Sequence, residues 1–201
     1  MDIKDYLSLI LFLIFILSYL AKLLILKNKY NIQANVLAKA KTDLKVQMTE
    51  ALVKLSTFIW GVMWFSLSVS ESLISDWSNP LVKNDLLSSL GILAIALGLA
   101  VFIVAMISMK TSWRVGIDKG TKSSLVTKGI YRFTRNPAFV GFDLMFIGLF
   151  LTYPYILTFG IVVLNILAIY CLILQEEKHL KTTFREEYLN YFSNTKRYIV
   201  F

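Results

Sequence analysis

The 201-residue chain is 57% hydrophobic and only 17% charged, with a mean hydropathy of +0.65; soluble domains run at about 45–50% apolar and ~25% charged. That excludes an ordinary soluble domain and predicts an all-α, polytopic integral membrane protein. The net charge of +8 does not point to nucleic acid, because the cations cluster beside apolar spans, where anionic headgroups attract them. The single cysteine, Cys171, lies in an apolar run, which excludes an internal disulfide and makes the thiol a small hydrophobe.

Tyr6 to Leu26 is apolar except for Lys22, longer than a signal-peptide core and not followed by a small-residue cleavage site. A retained transmembrane helix is expected. Lys27 to Glu50 is polar, with Val36, Ala40, Leu44 and Met48 at steps of four. That spacing fits a helix lying on the membrane surface, and the composition fits a solvated connector equally.

A second span is predicted over Ala51–Val69, with Lys54 close enough to its end to snorkel. The following loop carries Glu71, Asp76 and Asp85 against Lys83, and Asn79-Pro80 marks a turn. Leu86 to Met109 is a third span without a charge, in which Gly91 and Gly98 permit close helix approach.

After a basic segment, Ala138 to Leu174 is apolar except for Asp143 and is interrupted at Tyr153-Pro154-Tyr155. As one helix these residues would run about 55 Å, against a hydrocarbon core of ~30 Å, so Pro154 predicts a hairpin of two spans with a short first arm. Leu180, Phe184, Tyr188 and Tyr191 then mark an amphipathic helix over Gln175–Ser193. About five transmembrane helices result, as a single membrane domain: three N-terminal spans over 1–109 and a cofactor-binding core over 110–201.

The segments 27–50, 110–136 and 175–201 hold five, seven and five Lys or Arg, while the N-terminus and 70–85 hold one each. By the positive-inside rule the N-terminus is outside and the C-terminus cytoplasmic. No internal repeat suggests a transporter.

The chemistry is concentrated in Lys128-Gly-Ile-Tyr-Arg-Phe-Thr-Arg-Asn-Pro-Ala-Phe-Val-Gly141. Asn136 before Pro137 predicts a helix start, with Asn as N-cap and Pro at the first helical position. Its free N–H groups, beside Arg132 and Arg135, make an anion site. The hairpin returns Glu176 and Glu177 to the same face, so one pocket offers cations for a carboxylate and carboxylates for an ammonium or ribose hydroxyls. Gly141 would admit a flat ring close to the backbone, with Tyr131, Phe133, Phe139 and Tyr188 as walls. The same charges would also serve as an ion-pair network pinning the hairpin.

The 129–141 motif, the hairpin, Glu176-Glu177, Leu180, Phe184, Tyr188, Tyr191 and Arg197 together resemble the C-terminal core of the isoprenylcysteine carboxyl methyltransferase family, whose outline phospholipid N-methyltransferases share. The likeness covers roughly Ser112 to Tyr198. It implies S-adenosylmethionine as methyl donor and a lipid-like or isoprenoid acceptor, a carboxylate or an amine, entering from the bilayer. The family's Arg-His-Pro-x-Tyr-x-Gly motif falls on Arg135, Asn136, Pro137, Phe139 and Gly141, and its paired acids on Glu176 and Glu177.

Asn136 stands where His is usual and cannot carry a proton; Phe139 stands for Tyr and lacks its hydroxyl. The resemblance and the pocket together assign cofactor binding to Tyr131, Arg132, Arg135, Asn136, Pro137, Phe139, Gly141, Glu176, Glu177 and Tyr188. Arg135 and Glu177 are the candidates for catalysis, and no metal is expected. Trp113 and Arg114, in the basic 110–128 segment that would cover the site, and Asp143 are candidate substrate contacts. Asp143, ionisable within a span, would pair with Arg114 or Arg135. His179 reads as a surface residue. The alternatives are an NADPH-dependent reductase of a sterol- or isoprenoid-like double bond and a non-catalytic membrane interaction protein. The Lys-, Asn- and Ile-rich composition points to a prokaryotic inner membrane.

Overall fold

A computed structural model describes residues 2–37, 43–117 and 124–198, and among them there is no strand. The chain forms α1 (Ile3–Tyr30), α2 (Leu44–Val69), a single turn α3 (Ser72–Ser75), α4 (Asp85–Ser108), α5 (Pro137–Thr152) and α6 (Ile156–Asn194), with 3-10 turns at Lys110–Ser112 and Gly129–Arg132. Helices α1, α2, α4 and α6 have the length and hydropathy to cross a membrane, and α5 is a shorter apolar helix. At 16 residues and ~1.5 Å per residue, α5 reaches only about 24 Å. The short first arm of the predicted hairpin is therefore seen, and the protein is polytopic and all-α.

The segment after α1 departs from expectation. Asn31, left-handed at φ 52°, ends α1 as Ile32 N–H donates to Leu26 O at 2.9 Å, an arrangement Asn tolerates better than most residues. Residues 31–37 are not helical, and α2 begins at Leu44, seven residues before the expected start. No single helix carries Val36, Leu44 and Met48, because the backbone near Val36 is taken by another partner: Val36 N–H donates to Val115 O at 3.0 Å and Val115 N–H to Ala34 O at 2.8 Å. Lys39, Ala40 and Lys41 lie outside the described residues, as do Lys119 and Lys122 of the basic 110–128 segment.

Helices α4 and α5 share the most extensive contact, and glycine makes it possible. A Cβ on Gly98 would sit 2.6 Å from Gly141 O, and one on Gly91 2.7 Å from Gly148 O. The two glycine pairs, each seven residues apart along its helix, stack two turns apart, as small residues do in membrane packing. Beside them Trp60, Phe102, Phe142 and Phe146 form a ring cluster, with centroids 4.8 Å apart for Trp60–Phe146 and 5.0 Å for Phe102–Phe142.

Helix α6 packs on α2, where the buried Ser56 hydroxyl donates to Asn165 Oδ1 at 2.9 Å. The amphipathic segment expected over 175–193 continues the apolar part of α6 without a break as far as Arg185, and beyond it forms a second helical stretch across a kink. Its direction changes at Arg185, where φ is 45° and ψ −120°. At the far end the Tyr153-Pro154-Tyr155 turn is buried and tied down. Tyr153 Oη donates to Asp5 at 3.0 Å, Tyr155 Oη to Glu71 at 2.7 Å, and Lys4 pairs with Glu71 at 2.8 Å. The opposite end gathers the C-terminal ends of α1 and α4, the N-terminal ends of α2 and α5, and the polar half of α6.

Candidate active site

Between these helices lies a cavity of about 790 Å³, in the size range of small-molecule sites, roughly 300–1,000 Å³. Tyr131, Arg135, Asn136, Glu176, His179 and Tyr188 line its polar end, and Phe12, Trp60, Phe102 and Phe142 its apolar end. Trp113 and Arg114 also face it. Three buried polar atoms of lining residues, Tyr188 Oη, Trp113 Nε1 and Trp60 Nε1, have no hydrogen-bond partner among the described residues. Such orphaned groups ask for a ligand.

Arg135 is positioned by α6 itself and by the polypeptide that follows it. Its backbone N–H donates to Lys196 O at 2.9 Å. Its guanidinium donates to Glu177 Oε1 through Nε at 3.2 Å and Nη2 at 2.8 Å, to Phe192 O at 3.2 Å, and to Thr195 O. The group also lies 4.1 Å above the Phe192 ring. Glu177 is shared, since Arg197 donates to Oε1 at 3.1 Å and Oε2 at 2.8 Å. Burial opposes its ionisation, but the hydrogen bonds from Arg197 and Arg135 outweigh it and hold the carboxyl below its ordinary value.

The two neighbouring carboxylates therefore differ. Glu177 is buried, spent on the two arginines and outside the cavity lining, so the ion-pair reading of these charges describes its contacts. Glu176 lines the cavity. Lying just past the continuous apolar run of α6, which ends at Leu174, it is pushed up to about 7 by burial and then by Glu50 and Glu177.

Asn136 is buried and Pro137 opens α5, as the motif predicts. Asn136 occupies the N-cap position, but its side chain makes no capping bond: its Nδ2 donates to Arg197 O at 3.3 Å, because the tail crosses beside the helix start. Gly141 is not at the cavity. Its missing side chain is needed against Gly98 O, 2.7 Å from a would-be Cβ, so it serves helix packing instead of ligand approach. Arg132 is exposed and, like Pro137, does not face the cavity. Phe139 does.

Asp143 also lies off the cavity and forms no ion pair with Arg114 or Arg135; its Oδ1 is buried without a hydrogen bond. It sits two turns into α5 from Arg135, on the side of Tyr198, whose phenol is raised to about 12 by burial and then by Asp143. His179, expected at the surface, lines the cavity and contacts Thr183 at 3.4 Å.

Glu50 is the residue sequence reasoning missed. It is fully buried at the start of α2 and accepts the Ile117 N–H at 2.7 Å. With the Val36–Val115 and Val115–Ala34 bonds it fastens the 113–117 segment, one wall of the cavity, across the N-terminal half. In sequence it is only an acid at a polar–apolar junction.

The model of the phospholipid methyltransferase family matches residues 86–187, just over half of the chain and the full run from α4 to beyond Arg185. The chain belongs to the phospholipid methyltransferase family. That stretch contains the Arg135–Pro137 motif, the hairpin and the Glu176-Glu177 pair. The family is one of membrane methyltransferases that act on lipid, in agreement with the resemblance read from the motifs. Searches of curated proteins and of solved structures found no match.

Proposed function

We propose that this chain transfers a methyl group from S-adenosylmethionine to a lipid-like or isoprenoid acceptor, a carboxylate or an amine. The observation that supports this is the two-ended cavity: cation, carboxylate and unpartnered Tyr188 hydroxyl at one end, aromatic rings at the other. The donor set fits the cofactor. Glu176 would take its ammonium, Arg135 and Asn136 its carboxylate, and Tyr131, Phe139 and Tyr188 would flank its rings. When bound, S-adenosylmethionine supplies an electrophilic methyl.

The protein's own contribution is then positioning, which can supply roughly 7–11 kcal/mol of barrier reduction by holding nucleophile and methyl in line. Arg135 is kept in place by Glu177, so Glu177 acts as a positioning residue. A carboxylate acceptor needs no base, whereas an amine must arrive deprotonated. Trp113 and Arg114 would sit on the acceptor's side. The domain reading follows the same division, with 110–201 as the cofactor-binding core and α1, α2 and α4 completing the acceptor's side. The distribution of cations favours an N-terminus outside and a cytoplasmic C-terminus, and the Lys-, Asn- and Ile-rich composition favours a prokaryotic inner membrane.

Calorimetric titration of the purified protein with S-adenosylhomocysteine and, separately, with NADPH tests this. Binding of the first alone is expected. Binding of NADPH alone would favour a double-bond reductase, and binding of neither a non-catalytic membrane protein.

A further inference from the structure

Gly91, Gly98, Gly141 and Gly148 are each required by backbone of the facing helix within 3 Å of a would-be Cβ, whereas a Cβ on Gly61 would meet nothing within 4 Å. Glycine in a helix interior is less favourable than alanine, and no packing contact accounts for it here. Gly160 in α6 is equally open, but of these two Gly61 alone borders the cavity.

The neighbours of Gly61 show where it sits. Helices α1 and α2 run antiparallel: Ser8 bonds Ser68 at 2.7 Å, Phe12 meets Phe65 at 5.7 Å and Phe15 meets Trp60 at 5.9 Å. The same register sets Ile16 and Tyr19 of α1 opposite Gly61, Phe58 and Thr57 of α2, and all five line the cavity. The Phe12–Phe65 contact closes the seam on one side of this point. Phe58 and Val62 also line the cavity, yet they are 68% and 51% exposed on the outer surface. One space therefore reaches both the buried rings of Trp60 and Phe102 and the outward face of α2.

Gly61 lies in the middle of the apolar part of α2, at the depth hydrocarbon surrounds. Only α1 closes the seam there, and it buries few residues, Asp5, Ser8, Phe15 and Leu26. A polar molecule has no route through that depth.

We propose that Gly61 is the sill of a lateral portal between α1 and α2, through which one hydrocarbon chain of a bilayer lipid enters the cavity with its polar end toward Arg135 and Glu176. The chain's direction rests on the methyl-transfer reading; the portal itself does not. Because the opening is the space a side chain would fill, a large residue at 61, or at Ile16 across the seam, closes it without touching the polar end.

The test uses the full chain in vesicles of phosphatidylglycerol and phosphatidylethanolamine containing phosphatidylethanolamine with a diazirine at the end of one acyl chain. Photolysis is expected to label the buried Trp60 and Phe102 as well as the outward Phe58. In Gly61→Trp, and independently in Ile16→Trp, labelling of Trp60 and Phe102 falls to background, while labelling of the outward Leu164 and Leu167 of α6 and binding of S-adenosylhomocysteine are unchanged. Unlabelled Trp60 and Phe102 in the unmodified protein, or labelling that persists in a folded variant, overturns the portal. Should neither variant fold, the labelling of the unmodified protein decides. Labelling without S-adenosylhomocysteine binding leaves the portal standing and sinks the methyl-transfer reading.

Discussion

Arg135 holds Glu177 through two nitrogens on one oxygen, Nε at 3.2 Å and Nη2 at 2.8 Å, with both side chains less than a tenth exposed. Because Arg197 takes the other oxygen, one carboxylate joins the start of α5, the body of α6 and the tail. This clasp holds the motif arginine at the edge of the cavity.

Removing one partner of a buried pair leaves the other charge uncompensated and costs about 3–5 kcal/mol. Glu177→Ala is therefore expected to lower thermal stability strongly and to weaken S-adenosylhomocysteine binding through displaced Arg135. Arg197→Ala, whose side chain is 27% exposed, is expected to lose less. Melting curves in detergent check the order. The sign with pH also follows: Glu177 is held below its ordinary value, so its stabilisation is present above ~4.5 and is lost as pH falls.

Glu176 has the opposite sign. Raised to about 7, it favours the fold most below its ordinary value of ~4.5, and that contribution is lost as pH rises through 7. A ligand ammonium prefers the ionised form, so S-adenosylhomocysteine affinity should rise between pH 5.5 and 7 and then level, with a proton released on binding below 7. Calorimetry in buffers of different ionisation enthalpy reads the proton. Glu176→Gln should bind weakly at every pH and show no such rise; a rise that survives the substitution would clear Glu176 of the role.

Glu50→Ala removes the acceptor for the buried Ile117 N–H, a loss of about 1–3 kcal/mol. Faster hydrogen exchange over 113–117 is the expected signature. Glu50→Gln keeps an acceptor and should largely restore protection. It also removes one of the charges that raise Glu176, so the pH at which affinity levels should move down. Unchanged exchange in Glu50→Ala would show that the wall does not depend on this bond.

The two kinds of helical glycine should respond in opposite ways. Gly98→Ala and Gly141→Ala force a Cβ against backbone at 2.6–2.7 Å and are expected to destabilise by about 1–3 kcal/mol or more, as overpacking does. Gly160→Ala meets open space and should be neutral or stabilising by up to ~1 kcal/mol. Thermal unfolding of the three variants side by side measures the contrast.

Much of this was written in the order of residues. Uncharged runs of the right length, Pro154 in the middle of an overlong one and Asn136-Pro137 at a helix start determined the spans, the hairpin and the return of Glu176 and Glu177 to the motif's face, because desolvation of backbone and charge leaves few alternatives in hydrocarbon. The motif residues alone sufficed to indicate the family. Which acid faces the cavity was not legible, since Glu176 and Glu177 are adjacent in sequence and only the turn of α6 and the reach of Arg197 separate them. Nor could sequence tell that Gly141 meets Gly98, that Glu50 anchors Ile117, or that Gly61 meets nothing. Each of these depends on contacts between residues far apart in the chain, where side-chain space is set by the packing of whole helices and not by any local pattern.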